Sequence, residues 1–214
     1  MAYKLSLTWE QRKFAELFDT LANNTLSRAE LTEEAGTGRD VHYGDILVKF
    51  GECLRDVSEL PFITNDQIVQ KFISARLQNG DVIIADTAED ETVGKCTEIL
   101  DIQGEIVLSG LHTIPCRPRG KFAPAYLGYF MNSSSYHDQL RPLMQGIKVT
   151  SVSKSALQDT ILFMPRSYAE QEQIGRFFLG LDHLITLHQR KLKKYKDIKQ
   201  GMMEELLTGK VRLS

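Results

Sequence analysis

Residues 167–214, SYAEQEQIGRFFLGLDHLITLHQRKLKKYKDIKQGMMEELLTGKVRLS, constrain the fold more than any other part of this chain. Ser167 and Glu170 have the S-x-x-E spacing of a capping box, in which serine caps a free backbone N–H and glutamate reaches back to the cap. Pro165 blocks helical continuation from upstream, and Gly209 supplies the permissive residue on which helices commonly end. Between these signals Leu181, Ile185, Leu192, Tyr195, Met202 and Leu206 recur near a 3.5-residue period, with His188 and Lys199 filling the gaps. That period describes a seam packed against another helix. A helix of about 40 residues rises roughly 60 Å, longer than a globular domain built from the rest of the chain requires. Residues 189–212 carry eight Lys/Arg against three Asp/Glu around a narrow apolar stripe. The expectation is a rod, 167–214, that acts as spacer and assembly surface.

The chain has 214 residues, enough for one large domain or one domain and an appendage. Cys53, Cys96 and Cys116 form no C-x-x-C pair, which points to reduced thiols in a cytoplasmic setting. No apolar leader opens the chain and no membrane-length apolar run occurs, so neither export nor membrane spanning is expected. The net charge of −2 hides an asymmetry. Residues 1–110 hold ten basic and twenty acidic side chains, and residues 111–214 hold sixteen and eight. A chain polarised in this way can present a basic face to a polyanion despite its acidic pI.

Before the rod, the pattern is a mixed α+β domain, expected over residues 1–166. The spacing of Trp9, Phe14, Leu17 and Phe18 predicts a short helix, and residues 23–44 read as a long polar loop. Strand patterns begin at Asp45-Ile-Leu-Val-Lys-Phe, Asp81-Val-Ile-Ile-Ala, Ile106-Val-Leu-Ser, Thr113-Ile-Pro-Cys, Lys148-Val-Thr-Ser-Val and Ile161-Leu-Phe-Met. Residues 123–131 read as a helix with Tyr126, Leu127 and Phe130 on one face.

Catalytic signatures are missing. There is no G-x-G-x-x-G or Walker loop, and no adjacent prolines of the kind adenine methyltransferases use beside a target base. His42, His112, His137, His183 and His188 lack H-x-x-x-H spacing. The acidic group Asp86, Glu89, Asp90 and Glu91 has the chemistry to hold a hard cation, although a solvated loop accounts for it more simply. Glu91 is followed by Thr-Val-Gly-Lys, not by the E-x-K of a nuclease. A non-enzymatic chain, with no metal or cofactor of its own, is expected.

Several stretches together resemble the DNA-specificity (S) subunits of type I restriction-modification systems. They are Trp9-Glu-Gln-Arg-Lys, His42-Tyr-Gly-Asp-Ile, Leu77-x-x-Gly-Asp-Val-Ile-Ile-Ala-Asp, Ser109-Gly-Leu-His-Thr-Ile and Gly146-x-Lys-Val. The final helix carries the resemblance most specifically, through Pro165-x-Ser-Tyr-Ala-Glu-Gln-Glu-Gln-Ile-Gly and Leu181-Asp-x-Leu-Ile-x-Leu-His-Gln-Arg-Lys-Leu. The resemblance implies a target-recognition domain that reads half of a split site on double-stranded DNA, followed by a spacer helix. It also implies a methyltransferase (modification) subunit and a restriction subunit as partners, which would bring S-adenosylmethionine, ATP and Mg. Full S subunits carry two recognition domains and two spacer helices. One of each is visible here, so a half-length form that self-associates as a homodimer and reads an interrupted palindrome is expected.

In such a reader, phosphate contacts give affinity and a few side chains at base edges give specificity. Within the 23–42 loop, Asn24 has the chemistry to pair with adenine and Arg28 or Arg39 with guanine, with Ser27 and His42 beside them. The 87–95 loop offers Thr87, Glu89 and Lys95, its acids suited to cytosine. Lys49, Lys148 and Lys154 are phosphate candidates. Each Arg in a polar loop is equally compatible with solvation or a phosphate, and His112 and Thr113 with a buried structural bond. Two other classes stay open at this stage: a stand-alone dimeric DNA-binding regulator without a methyltransferase partner, and a protein scaffold that binds no DNA.

Overall fold

The computed structural model describes residues 8–146 and 148–212. Residues 1–7 of the expected recognition domain, Ile147, and the last two residues of the expected rod lie outside the described residues. In chain order the elements are β1 (Trp9–Lys13), α1 (Phe14–Leu17), β2 (Phe18–Thr20), β3 (Leu31–Thr32), β4 (Arg39–Val41), α2 (Tyr43–Val48) and β5 (Cys53–Leu54). There follow β6 (Phe62–Ile63), α3 (Asp66–Phe72), β7 (Val82–Ala85), β8 (Thr87–Ala88), β9 (Cys96–Ile99), β10 (Val107–Ser109) and β11 (Thr113–Pro118). The chain continues through α4 (Tyr126–Asn132), α5 (Ser134–His137), β12 (Thr150–Ser151), α6 (Lys154–Gln158), β13 (Ile161–Pro165) and α7 (Tyr168–Leu206). This is a mixed α/β fold with a long C-terminal helix, and it divides into two compact units, Met1–Gly175 and Arg176–Ser214.

The first unit is organised around β7. Its five-stranded sheet runs β2-β11-β7-β9-β5, with β7 antiparallel to both neighbours. Alternate residues of a strand face opposite sides, and here both sides are covered. Val82 and Ile84 enter a core with Phe14, Ile114, Tyr126 and Met131. Ile83 and Ala85 enter another with Val41, Ile46, Leu60 and Ile99. Burial on both faces explains the unbroken Val-Ile-Ile-Ala run, which a one-sided sheet would have interrupted with polar residues. A second sheet, β10-β4-β6-β3, closes a smaller core of Leu26, Ile63, Val69 and Leu108.

Several sequence expectations need correction. Residues 9–13 are a strand, not the start of a helix, and α1 is confined to Phe14–Leu17. Long-range pairing overrides the local spacing: β1 runs antiparallel to β13, and Trp9 packs on Phe163 with ring centroids 5.2 Å apart. The run beginning at Asp45 belongs to helix α2, not to a strand. His42 caps it, its Nδ1 accepting from the Gly44 N–H at 3.2 Å. Asp45 and Ile46 turn inward while Val48 is 82% exposed, a one-sided burial that suits a helical turn. The 23–44 stretch holds β3, β4 and a 3-10 turn at Arg28–Glu30. Helix α4 begins at Tyr126, and only Thr150–Ser151 of the 148–152 pattern is strand. At the head of α7 half of the capping box forms. The Glu170 N–H donates to Ser167 Oγ at 3.3 Å, but the Glu170 carboxylate accepts from Trp9 Nε1 at 2.9 Å.

In the second unit α7 runs to Leu206, and the turn that follows includes Gly209, whose φ of +72° suits glycine and whose N–H donates to the Leu206 carbonyl. Leu181, Ile185, Leu192, Tyr195 and Met202 are exposed there, and Leu206 is half-buried. Leu184, Leu187, Ile198 and Met203 are exposed as well, so the stripe is broader than its heptad positions suggested. At about 100° per residue these side chains span an arc of roughly 160°. Among the described residues no helix is long and apolar enough to cross a membrane.

Candidate nucleic-acid interface

Four of the expected site residues turn out to be fasteners. Asn24 is buried, its Nδ2 donating to Asp40 Oδ2 at 2.6 Å and its Oδ1 accepting from the Leu26 N–H at 3.0 Å. Both faces of the amide are spent, so it has none left for adenine. Arg39 donates Nη1 to the Ser58 and Leu60 carbonyls and lays its guanidinium 3.9 Å over the Phe62 ring. His42 is buried as the α2 cap. Lys95 donates to the Leu47 and Phe50 carbonyls at 3.1 and 3.0 Å, satisfying the open C-terminal end of α2. None of these four is placed to meet a base edge.

The remaining candidates stand at the surface. Ser27 is exposed, with Oγ and N–H both on Glu30 Oε2 at 2.9 Å. Arg28 Nη2 lies 2.7 Å from Asp45 Oδ1, and Lys49 Nζ approaches the same oxygen at 3.3 Å. Asp45 is itself buried, and these are charge contacts rather than aligned hydrogen bonds. One buried carboxylate therefore anchors two half-exposed cations side by side. Lys154 Nζ reaches Asn23 Oδ1 at 3.4 Å, and Asn23 Nδ2 donates to the Gly110 carbonyl at 3.2 Å. Lys148 and Glu89 are exposed, and Thr87 Oγ1 donates to Asp86 Oδ1 at 2.7 Å.

The two loops singled out in the sequence converge on the turn between β10 and β11. Thr113 is buried there, bonded to Ser109 Oγ and the Gly110 carbonyl, whereas the neighbouring His112 side chain is 46% exposed. His112 holds a φ of +53°, a left-handed conformation uncommon outside glycine. Its Nδ1 lies 3.3 Å from both Asp86 Oδ1 and Thr87 Oγ1, and Tyr43 meets the ring edge-on at 5.2 Å. Beside it a groove of about 350 Å³ is lined by Tyr43, Leu47, Val48, Thr87, Glu89 and Val149. Tyr43 and Asp86 were not anticipated as site residues. Tyr43 lay at the end of the 23–44 segment read as a polar loop, and Asp86 was read only as one of an acidic group.

Electrostatically the floor of this region is strained. Burial pushes the Asp40 carboxyl up to about 6, with the Asn24 hydrogen bond opposing it. Burial also lowers His42, helped by Arg28. Among the described residues no group of three or more His, Cys, Asp or Glu is gathered as metal ligands would be.

No protein-family model matches the chain. Solved structures do. The S subunit of a type I restriction-modification system from M. genitalium is 11% identical with a TM-score of 0.59, the match covering 96% of this chain and 47% of that one. A structure describing complex assembly and conformational transition of the type I R-M system is 15% identical with a TM-score of 0.62, covering 95% and 47%. The HsdS subunit from Thermoanaerobacter tengcongensis is 15% identical with a TM-score of 0.57, covering 95% and 46%. The fold is thus that of S subunits, and the chain spans about half the length of those it matches.

Proposed function

We propose that this chain is a half-length DNA sequence-recognition subunit of a type I restriction-modification complex. It directs methyltransferase and restriction subunits to a bipartite site and performs no chemistry itself. The observation that carries the reading is the fold match over at least 95% of the chain to S subunits about twice as long. Under this reading Arg28, Lys49, Lys148 and Lys154 bind phosphates, and the groove beside Tyr43 and His112 lies against base edges. Methyl transfer and cleavage, with S-adenosylmethionine, ATP and Mg, belong to the partner subunits.

The helix supports the assembly part of the proposal. An a/d seam alone serves one partner helix, whereas an apolar arc of roughly 160° is wider than one seam and leaves room beside it for a second packing surface. A second copy of the chain takes one and the methyltransferase takes the other. Two identical readers related by a two-fold axis read identical half-sites on opposite strands, which makes the target an interrupted palindrome.

The test is co-expression of the chain with its methyltransferase in a host lacking other adenine methylation, followed by methylome sequencing. The expected result is adenine methylation at one interrupted palindrome, absent when either protein is omitted. Methylation that is independent of this chain, or failure of the two proteins to co-purify, would overturn the proposal.

A further inference from the structure

We infer that His112 is a specificity-determining residue that reads the exocyclic amino group of an adenine or cytosine, and that Asp86 and Thr87 are the positioning residues that set its tautomer. The inference rests on the DNA-recognition reading above. It starts from placement. His112 lies in the β10–β11 turn, joined through short chains of contacts to surface cations on two other segments. Tyr43 leads to the first turn of α2 and the Arg28–Asp45–Lys49 group. Gly110 leads through Asn23 to Lys154. A side chain joined in this way to phosphate-binding cations is where a base edge arrives when the backbone docks.

The ring is held rather than free. Tyr43 packs against it, the Asp86 N–H donates to the His112 carbonyl at 3.0 Å, and Nδ1 sits 3.3 Å from Asp86 Oδ1 and Thr87 Oγ1. Thr87 gives its only hydroxyl proton to Asp86 Oδ1 at 2.7 Å. Nδ1 therefore faces two oxygens with no proton to offer, because an ionised carboxylate only accepts. In the neutral ring the proton must then sit on Nδ1, which leaves Nε2 a bare acceptor on the far side. In the major groove an acceptor on the protein matches adenine N6 or cytosine N4 and repels guanine O6 and N7 and thymine O4. The left-handed backbone at His112 fits a position kept for where the ring is aimed.

The experiment uses the purified full-length chain and a randomised pool of DNA duplexes at pH 8, sequenced before and after selection. The wild type should demand adenine or cytosine at one position of its half-site. Replacing that base by its analogue without the amino group, purine or pyrimidin-2-one, should weaken wild-type binding roughly tenfold. His112→Ala should bind both duplexes alike. His112→Gly, which tolerates the left-handed backbone and carries no base-reading group, repeats the comparison should the alanine variant unfold. Asp86→Asn presents an N–H to Nδ1, moves the ring proton to Nε2, and should shift the preference at that one position to guanine or thymine. A merely structural role for Asp86 would not produce that shift. An unchanged preference in His112→Gly, from a selective wild type, overturns the assignment of His112. An unchanged preference in Asp86→Asn overturns the positioning role. A wild type that selects no sequence removes the DNA-recognition reading itself, and this assignment with it.

Discussion

Glu98 makes the stability of the first unit depend on pH in a direction opposite to that of most acidic side chains. It lies on β9, 1% exposed, with Oε1 accepting from the Ala125 N–H and Oε2 from the Gly128 N–H, both at 2.9 Å, at the head of α4. Those bonds favour the carboxylate, but burial outweighs them and pushes the group from the ordinary 4.5 to about 7. The native side chain thus keeps its proton to a higher pH than the unfolded chain does. Unfolding releases that proton between about pH 4.5 and 7, so stability is greatest below this window and falls as pH rises through it. A shift of this size corresponds to about 3 kcal/mol. Glu98→Gln abolishes the titration, and it leaves one of the two N–H groups facing an amide NH₂ at a cost of about 1–3 kcal/mol. Urea unfolding of both full-length proteins from pH 5 to 8, at fixed protein concentration, should show the wild type ahead at pH 5 and the gap closing toward pH 8. A gap that stays constant, or widens with pH, would refute the reasoning.

Other consequences can be measured separately. Leu192 is 55% exposed on α7, so full burial against a partner adds about 1 kcal/mol per copy. Leu192→Lys should weaken a symmetric pair roughly 30-fold by sedimentation equilibrium; a wild type that remains at 24.3 kDa at micromolar concentration speaks against self-association. Arg39→Ala removes its carbonyl bonds and its stack on Phe62 and should lower stability by about 2 kcal/mol, with no change in base preference. Lys148→Ala should weaken binding to all sequences alike and reduce the salt slope by about one, read from titrations at several salt concentrations.

What could be read from the sequence was mostly what local pattern decides. The long helix was legible because cap, period and terminal glycine all lie within it, and β7, β10, β11 and β13 because their apolar runs are short and bounded by turn residues. The failures have one physical source, namely partners far away in the chain. Ile46 and Leu47 look like strand until His42 caps the segment and Lys95 closes its far end. Residues 9–13 look helical until β13 pairs with them. Among the site candidates the type of residue was informative but its availability was not. Asn24, Arg39 and Lys95 are polar residues in loops, yet Asp40, Ser58 and Leu47 occupy them, and nothing near them in sequence reveals this. His112 was noticed and left undecided, since only the meeting of Tyr43, Asp86 and Thr87 around it separates it from its buried neighbour Thr113.

The double-sided burial of β7 has a consequence for how the first unit opens. Val82 and Ile84 anchor one core and Ile83 and Ala85 the other, so neither core can loosen without disturbing the strand that belongs to both. Partial unfolding of one half is therefore costly, and the backbone amides of β7 should exchange with solvent deuterium only through global unfolding. The exposed 89–92 segment that follows β8 carries no such constraint. Its amides should exchange orders of magnitude faster, so that a rigid sheet carries a surface segment that opens locally.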